Sequence, residues 1–247
     1  RPKCLIDFGG RTLLDWQLDT LAANGVGEVC LVTGFREAVV GAELIVGDVG
    51  DRALVLHVLA EHSIDAVLHF AAHTVVPESV RDPLKYYGNN TCNTRNLLAC
   101  CAEAGVDKFI FSSTAAVYGM PSSGIADENT PTQPINPYGS SKLMSETMLR
   151  DLSASGAMRH VILRYFNVAG CDPQGRIGQS TPNATLLIKV ACEHAVGARA
   201  NLSIFGTDYD TPDGTCIRDY IHGDDLADAH LRALDHLRAN GGSLTLN

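Results

Sequence analysis

The sequence predicts an α/β fold: a doubly wound, mostly parallel sheet with helices on both faces, followed by a smaller, less regular C-terminal lobe. Three observations predict it. Short β-rich runs alternate with helical stretches from the first residues to about Phe166, which is the pattern of successive βα units. From Gly170 to Gly214 the chain turns rich in Gly, Pro, Asn, Thr and Asp, as an irregular lobe beside a sheet would be. With 247 residues, 45% of them hydrophobic and 19% charged, it is long and apolar enough for a sizeable core.

Taken in order, Cys4–Phe8 reads as a strand, Thr12–Ala23 as a helix burying Leu13, Leu14, Leu18 and Leu21 on one face, and Glu28–Thr33 as a second strand. Further strands are expected at Glu43–Val46, Ala66–Phe70, Lys108–Ser112 and Val161–Tyr165, where β-branched and aromatic residues concentrate. Apolar residues at helical spacing place helices at Arg52–His62, Leu84–Ala104 and Tyr138–Leu152. In the lobe, one helix is expected near Ala184–Val196, then Asp224–Ala239 and a strand at Ser243–Asn247. The loop Met120–Asn136, with Pro121, Pro131 and Pro134, joins a strand end to a helix start. Loops leaving the carboxyl ends of strands line the ligand crevice of such a sheet, so the chemistry is sought there.

Composition excludes several classes. The net charge is -9 and the 19 basic residues are scattered, which argues against a nucleic-acid surface. Apolar runs such as Ala66–Ala72 fall well short of the ~20 residues of a membrane helix, and no basic segment leads into an apolar one at the start. No membrane partner is therefore expected, and the chain reads as cytoplasmic. Eight cysteines form no Cys-x-x-Cys pair and are expected as buried, reduced thiols. The nine histidines lack ligand spacing, so no metal is assigned.

The strongest chemical signal is Tyr138-Gly-Ser-Ser-Lys142, opening a helix directly after Pro137. A spacing of four puts phenol and ammonium on one helix face. A free phenol, with pKa near ~10, is mostly protonated at neutral pH, and nearby positive charge favours phenolate, a competent base toward a sugar hydroxyl. Upstream, the strand at Phe109 ends in three hydroxyl residues, Ser112, Ser113 and Thr114. Such a tip suits hydrogen bonding to a substrate oxygen, or it merely satisfies backbone groups.

From Ala42 onward the motifs run nearly continuously: Gly47-Asp48, Leu68-His-Phe-Ala-Ala72, Val76-Pro-Glu-Ser79, Asp82-Pro-Leu-Lys-Tyr-Tyr87, Asn89-Asn90, Ser112-Ser-Thr114, Tyr138-Gly-Ser-Ser-Lys142, Leu163-Arg-Tyr-Phe-Asn167, Ile204-Phe-Gly-Thr-Asp-Tyr209 and Asp213-Gly-Thr-Cys-Ile-Arg-Asp-Tyr-Ile-His222. These resemble the NAD-dependent sugar-nucleotide epimerases of the extended short-chain dehydrogenase family, closest to the UDP-glucose 4-epimerase branch. The resemblance implies a Rossmann-like NAD-binding domain over 37–168 and a partial sugar-nucleotide-binding lobe over 169–247. It implies Tyr138 as catalytic base, Lys142 as the group that binds the nicotinamide ribose and depresses the tyrosine pKa, and Thr114 as the catalytic hydroxyl. Asp48, Phe70, Ala71, Ala72, Asn89, Ser112 and Phe166 would line the NAD site beside Tyr138 and Lys142. Thr114, Asn167, Asn183, Phe205 and Arg218 would hold the UDP-sugar, and a guanidinium fork suits a diphosphate. A homodimer through the Leu84–Ala104 and Tyr138–Leu152 helices is implied as well. The activity implied is interconversion of UDP-glucose and UDP-galactose by transient oxidation at C4. The related dehydratases carry an acidic pair after the catalytic Thr, where this chain has Ala115-Ala116.

Residues 1–36 depart from that pattern. They lack the glycine-rich turn that holds a pyrophosphate, and instead resemble a fragment of a sugar-1-phosphate nucleotidyltransferase. Their strand, helix, strand content is expected to occupy the first βαβ position, with Gly9-Gly10 as its only glycine turn. The family continues beyond the position of Asn247, so a truncated or recombined product, with an incomplete substrate lobe, is also an expectation. An inactive epimerase-fold protein unable to hold NAD is the alternative reading, with dehydratase and nucleotidyltransferase behind it.

Overall fold

The computed structural model describes residues 30–33, 43–171, 173, 178–179 and 184–247. The expected elements at 4–8 and 12–23, the Gly9-Gly10 turn and Asn183 lie outside them. Strands β1 (Cys30–Thr33) and β2 (Glu43–Val46) pair in parallel, Cys30 opposite Glu43. Helix α1 (Arg52–Glu61) starts where the Asp51 side chain accepts from the amides of Ala53 and Leu54, satisfying two of the donors that a first turn leaves open.

The main sheet has four parallel strands in the order β3 (Ala66–His69), β4 (Lys108–Ser112), β5 (Arg159–Leu163) and β8 (Leu244–Leu246). Alternation along β4 sorts its side chains between two cores. Phe109 and Phe111 face Val55 and Leu59 of α1, Leu97, Leu98, Cys100 and Cys101 of the helix Asn93–Ala104, and Leu149 of the helix Pro137–Ala154. Ile110 faces the other way, with Val161 and Leu163 of β5, onto Ala233, Leu234 and Leu237 of the helix Gly223–Arg238. Both faces of the sheet are thus covered, and every strand of it points its carboxyl end to the same edge.

The expected helix Leu84–Ala104 is divided. Helices α2 (Val76–Arg81) and α3 (Pro83–Tyr86) precede a π turn, Tyr87–Cys92, before α4 (Asn93–Ala104). The cause is visible at Asn90. Its carbonyl accepts from the hydroxyls of Thr94 at 2.6 Å and Ser145 at 3.1 Å, so side chains take the place of part of the regular ladder. Beyond α5 (Pro137–Ala154) and β5, the lobe holds a parallel pair of three-residue strands that the sequence did not suggest, β6 (Asn167–Ala169) and β7 (Tyr220–His222), then α6 (Leu187–Ala195) between them in sequence and α7 (Gly223–Arg238) after. Strand β5 starts at Arg159 and ends at Leu163, earlier than expected at both ends, because its register on β4 runs from Lys108 to Ser112.

The thiol expectation is corrected in part. Cys100 and Cys101 are buried, but Cys92, Cys171, Cys192 and Cys216 are exposed. Cys92 sits on the π turn, and Cys192 lies on α6, which buries none of its residues. No helix of the described residues is long and apolar enough to cross a membrane.

Candidate active site

Helix α5 begins with a strong local signal. The Asn136 side chain accepts from the amide of Gly139 at 2.9 Å, and Pro137, which has no amide proton to leave unsatisfied, takes the first helical position. Gly139 allows close contact: a Cβ there would lie 2.6 Å from the carbonyl oxygen of Ala116. That approach brings Tyr138 to the end of β4. There Thr114 caps the short 3₁₀ turn Ala115–Tyr118, its Oγ1 accepting from the amide of Ala116 at 3.2 Å.

Thr114 is the hydroxyl that acts on the Tyr138 phenol. Burial pushes the phenol's pKa above the ordinary value, the Thr114 hydroxyl pulls it back in part, and the neighbouring Tyr165 adds to the rise. Lys142 is buried beneath, one helical turn on. Its Nζ donates to the carbonyl of Ser112 at 2.7 Å and lies 4.7 Å from the centroid of the Phe111 ring. Burial pushes its pKa down to about 7, with Glu146 opposing. Tyr138 and Lys142 share a helix face, with the ammonium on the strand carbonyl and Thr114 next to the phenol.

Around this pair the polar groups are closely engaged. Ser112 Oγ and the Tyr165 hydroxyl are hydrogen-bonded. His69, buried, meets Thr94 Oγ1 at 2.8 Å, stacks on Phe111, and is held neutral, its pKa pushed down to about 3 by burial and then by Lys142. Tyr86 lies edge-on to Tyr138, with ring centroids 6.5 Å apart.

Other expected residues are placed as follows. Phe70 and Phe166, just past β3 and β5, are 51% and 52% exposed, and Phe70 packs 4.7 Å from the His230 ring of α7. Ala71 and Ala72 continue the loop from Phe70. The Asn89 amide donates to Asn90 Oδ1 at 3.0 Å. Asp48 is exposed beyond β2, its Oδ1 accepting from the Gly50 amide at 2.7 Å and the Asn93 side chain at 3.0 Å. In the lobe, Asn167 donates to the carbonyl of Asp219 at 3.1 Å, Phe205 is 86% exposed, and Arg218 is exposed with Nη1 on the carbonyl of Ile217 at 2.7 Å. The structure thus joins Tyr138, Lys142, Thr114 and Ser112, while none of the described contacts joins Phe205 or Arg218 to them.

The sequence reading left two groups unassigned. Asn90 bonds His73 through both amide atoms, at 2.8 and 3.0 Å, and reaches Ser141 Oγ at 3.1 Å. Glu146 and Arg164 form a buried ion pair. The signal for the second was present, since Glu146 lies at the next helical repeat after Tyr138 and Lys142.

The model of the NAD dependent epimerase/dehydratase family matches residues 18–247. The chain belongs to this family. The match reaches back to residue 18, inside the segment that the motifs had set apart. Within the family the chain is 57% identical over 250 residues to the UDP-glucose 4-epimerase of Azospirillum brasilense, covering all of this chain and 72% of that enzyme. It is 49% identical over 230 residues to the UDP-glucose 4-epimerase of Rhizobium meliloti, covering 92% and 70%. The fold superimposes with a TM-score of 0.88 on the UDP-glucose 4-epimerase of Brucella ovis solved in complex with NAD, 41% identical over 97% of this chain and 75% of that one. The doubly wound sheet is accordingly the Rossmann-like sheet of this family.

Proposed function

We propose that this chain carries UDP-glucose 4-epimerase chemistry: NAD-dependent, reversible oxidation at C4 of a UDP-sugar, interconverting UDP-glucose and UDP-galactose. The single observation that carries the reading is the docking of the first turn of α5 on the turn that Thr114 caps, which sets Tyr138 beside the carboxyl edge of the sheet with Lys142 buried behind it on the Ser112 carbonyl. The residues present fit a dinucleotide. Half-exposed rings at Phe70 and Phe166 stand past the strand ends, where a flat ring system would cover them, and the exposed carboxylate of Asp48 lies past β2, bonded to the Asn93 side chain at the start of α4. Bound NAD supplies a hydride acceptor and donor for one carbon.

The protein's own part is proton transfer and placement. Tyr138 takes the proton of the sugar 4-hydroxyl, and the Thr114 hydroxyl orients that oxygen and stabilises the phenolate. Lys142, held by the Ser112 carbonyl, supplies the nearby cation and a donor for the cofactor ribose. Ala115 and Ala116 follow Thr114 and are folded into the 3₁₀ turn, so no carboxylate stands there to eliminate water, which favours epimerisation over dehydration. Asn89, Ala71, Ala72 and Ser112 complete the cofactor side. Asn167, Asn183, Phe205 and Arg218 are assigned to the UDP-sugar, with Arg218 on the diphosphate. With this reading go the division into 1–36, 37–168 and 169–247, a cytoplasmic location, and a homodimer through the Leu84–Ala104 and Tyr138–Leu152 helices. Exposed Leu84 and Met144 support that last assignment.

The test is to measure NAD carried by or added to the purified chain, and UDP-galactose turnover with it. Tyr138→Phe should lower turnover by about 10²–10⁴-fold while NAD is still bound. A chain that binds no NAD at a large excess would reject the reading.

A further inference from the structure

The tip of β4 and the first three turns of α5 are tied together by a carboxylate that the chemistry above does not use. The Glu146 side chain is 0% exposed, and it follows Lys142 by one helical turn and Tyr138 by two. Its Oε1 accepts from Ser113 Oγ at 2.5 Å and from Arg164 Nε at 3.0 Å. Its Oε2 accepts from Arg164 Nη2 at 2.6 Å and from Arg150 Nη1 at 3.1 Å. Arg164, just past β5, donates onward through Nη1 to the Tyr118 hydroxyl at 2.9 Å, at the end of the 3₁₀ turn that Thr114 caps.

Ser113 is the residue between Ser112, whose carbonyl holds Lys142, and Thr114, whose hydroxyl meets Tyr138. The carboxylate therefore grips the middle of a triplet whose two neighbours hold the functional pair. A buried ion pair gives little net stability over apolar side chains of similar volume, so stability alone does not account for it. Its place on the helix does.

We propose that Glu146 and Arg164 are positioning residues for Tyr138 and Lys142: the carboxylate fixes α5 on the β4 tip and sets a negative charge behind Lys142, and the guanidinium limits that charge. This rests on the function proposed above. The titratable and charged groups gathered around Lys142 are His69 on β3, Tyr165 past β5 through Ser112, Arg164 and Arg150 through Glu146, and Tyr138 and Glu146 on its own helix. His69 is neutral, burial holds the Tyr165 phenol protonated and Arg150 is partly exposed to water, so the buried Glu146–Arg164 pair is the main charge that Lys142 senses.

The experiment titrates Lys142 in the full chain through the ¹³C shift of its ε carbon, assigned by its loss in Lys142→Met. Two variants are compared with the parent: Glu146→Gln, and the double variant Glu146→Gln with Arg164→Met, which leaves no unpaired buried charge and so keeps the fold if the single variant does not. Removing the carboxylate should move the Lys142 midpoint to lower pH, by about 1 unit in Glu146→Gln and less in the double variant. A tie that is only structural predicts the opposite sign, because loosening α5 lets water reach the ammonium. A midpoint that rises or stays in place in a folded variant overturns the proposal. In parallel, kcat for UDP-galactose with added NAD should fall about 10-fold or more in Glu146→Gln while KM stays within about 3-fold, the mark of lost alignment rather than lost binding. A parent chain with no turnover would reject the function, and the titration would still judge the positioning.

Discussion

At the scale of single residues, the site's chemistry turns on which neighbour acts on the phenol. Burial raises the Tyr138 pKa and the Thr114 hydroxyl opposes that rise. Thr114→Val removes the opposing interaction, so the phenol becomes a weaker acid. The low-pH limb of the turnover profile, which follows formation of phenolate, should then move to higher pH, with kcat lower by about 10²-fold. A Thr114→Val profile that superimposes on the parent's would show that the hydroxyl does not act on the base. Lys142 offers a second expectation. Burial brings its folded pKa to about 7 from an ordinary 10.5. Between those values the unfolded chain binds more protons than the folded one, so this residue weakens the fold fully below about pH 7 and progressively less as pH rises toward 10.5. The stability of Lys142→Met relative to the parent, measured by urea denaturation, should therefore fall as pH is raised across that window. Both residues were legible in the sequence, because a four-residue spacing and a hydroxyl-bearing strand tip are local facts. The partner of Lys142 was not legible. It is a carbonyl 30 residues away, and only the docking of α5 on β4 determines it.

At the scale of elements, the contact between the first turn of α5 and the 3₁₀ turn after β4 governs the site. Gly139 permits it, since any Cβ would sit 2.6 Å from the Ala116 oxygen and 3.0 Å from Cβ of Pro134. Gly139→Ala should cost about 1–3 kcal/mol, as overpacking of a tight contact does, and should show as a lower thermal midpoint together with reduced turnover. A variant as stable as the parent would mean that the two turns separate freely. The central strands and the helices α1, α5 and α7 were read from sequence nearly as they stand, because Phe109, Ile110 and Phe111 form a continuous apolar run and these helices carry apolar residues at helical spacing. The π turn and the β6–β7 pair were not. Asn90 interrupts its helix through bonds to Thr94 and Ser145, the latter 55 residues on. Strands of three residues, paired across more than 50 positions, carry too few side chains to show an alternation.

At the scale of the whole molecule, the parallel order β3-β4-β5-β8 gathers loops from distant parts of the chain at one edge, which is why motifs scattered from Leu68 to Asn167 converge there. That convergence was foreseeable once βα alternation was recognised, since parallel strands can only be joined by crossovers that return to the same end. The arrangement of Phe205 and Arg218 was less so. They lie in a lobe of turns and short strands whose placement no periodicity announces. The sorting of thiols between core and surface gives the fold a built-in clock. Cys100 and Cys101 are sealed where α1, α4, β4 and α5 meet, whereas Cys92, Cys171, Cys192 and Cys216 face solvent. A pulse of alkylating reagent, read by mass spectrometry, should modify the four exposed sulfurs at once and reach the buried two only as fast as that layer transiently separates from the sheet. Prompt labelling of Cys100 and Cys101 in native buffer would mean that this side of the molecule breathes independently of the other.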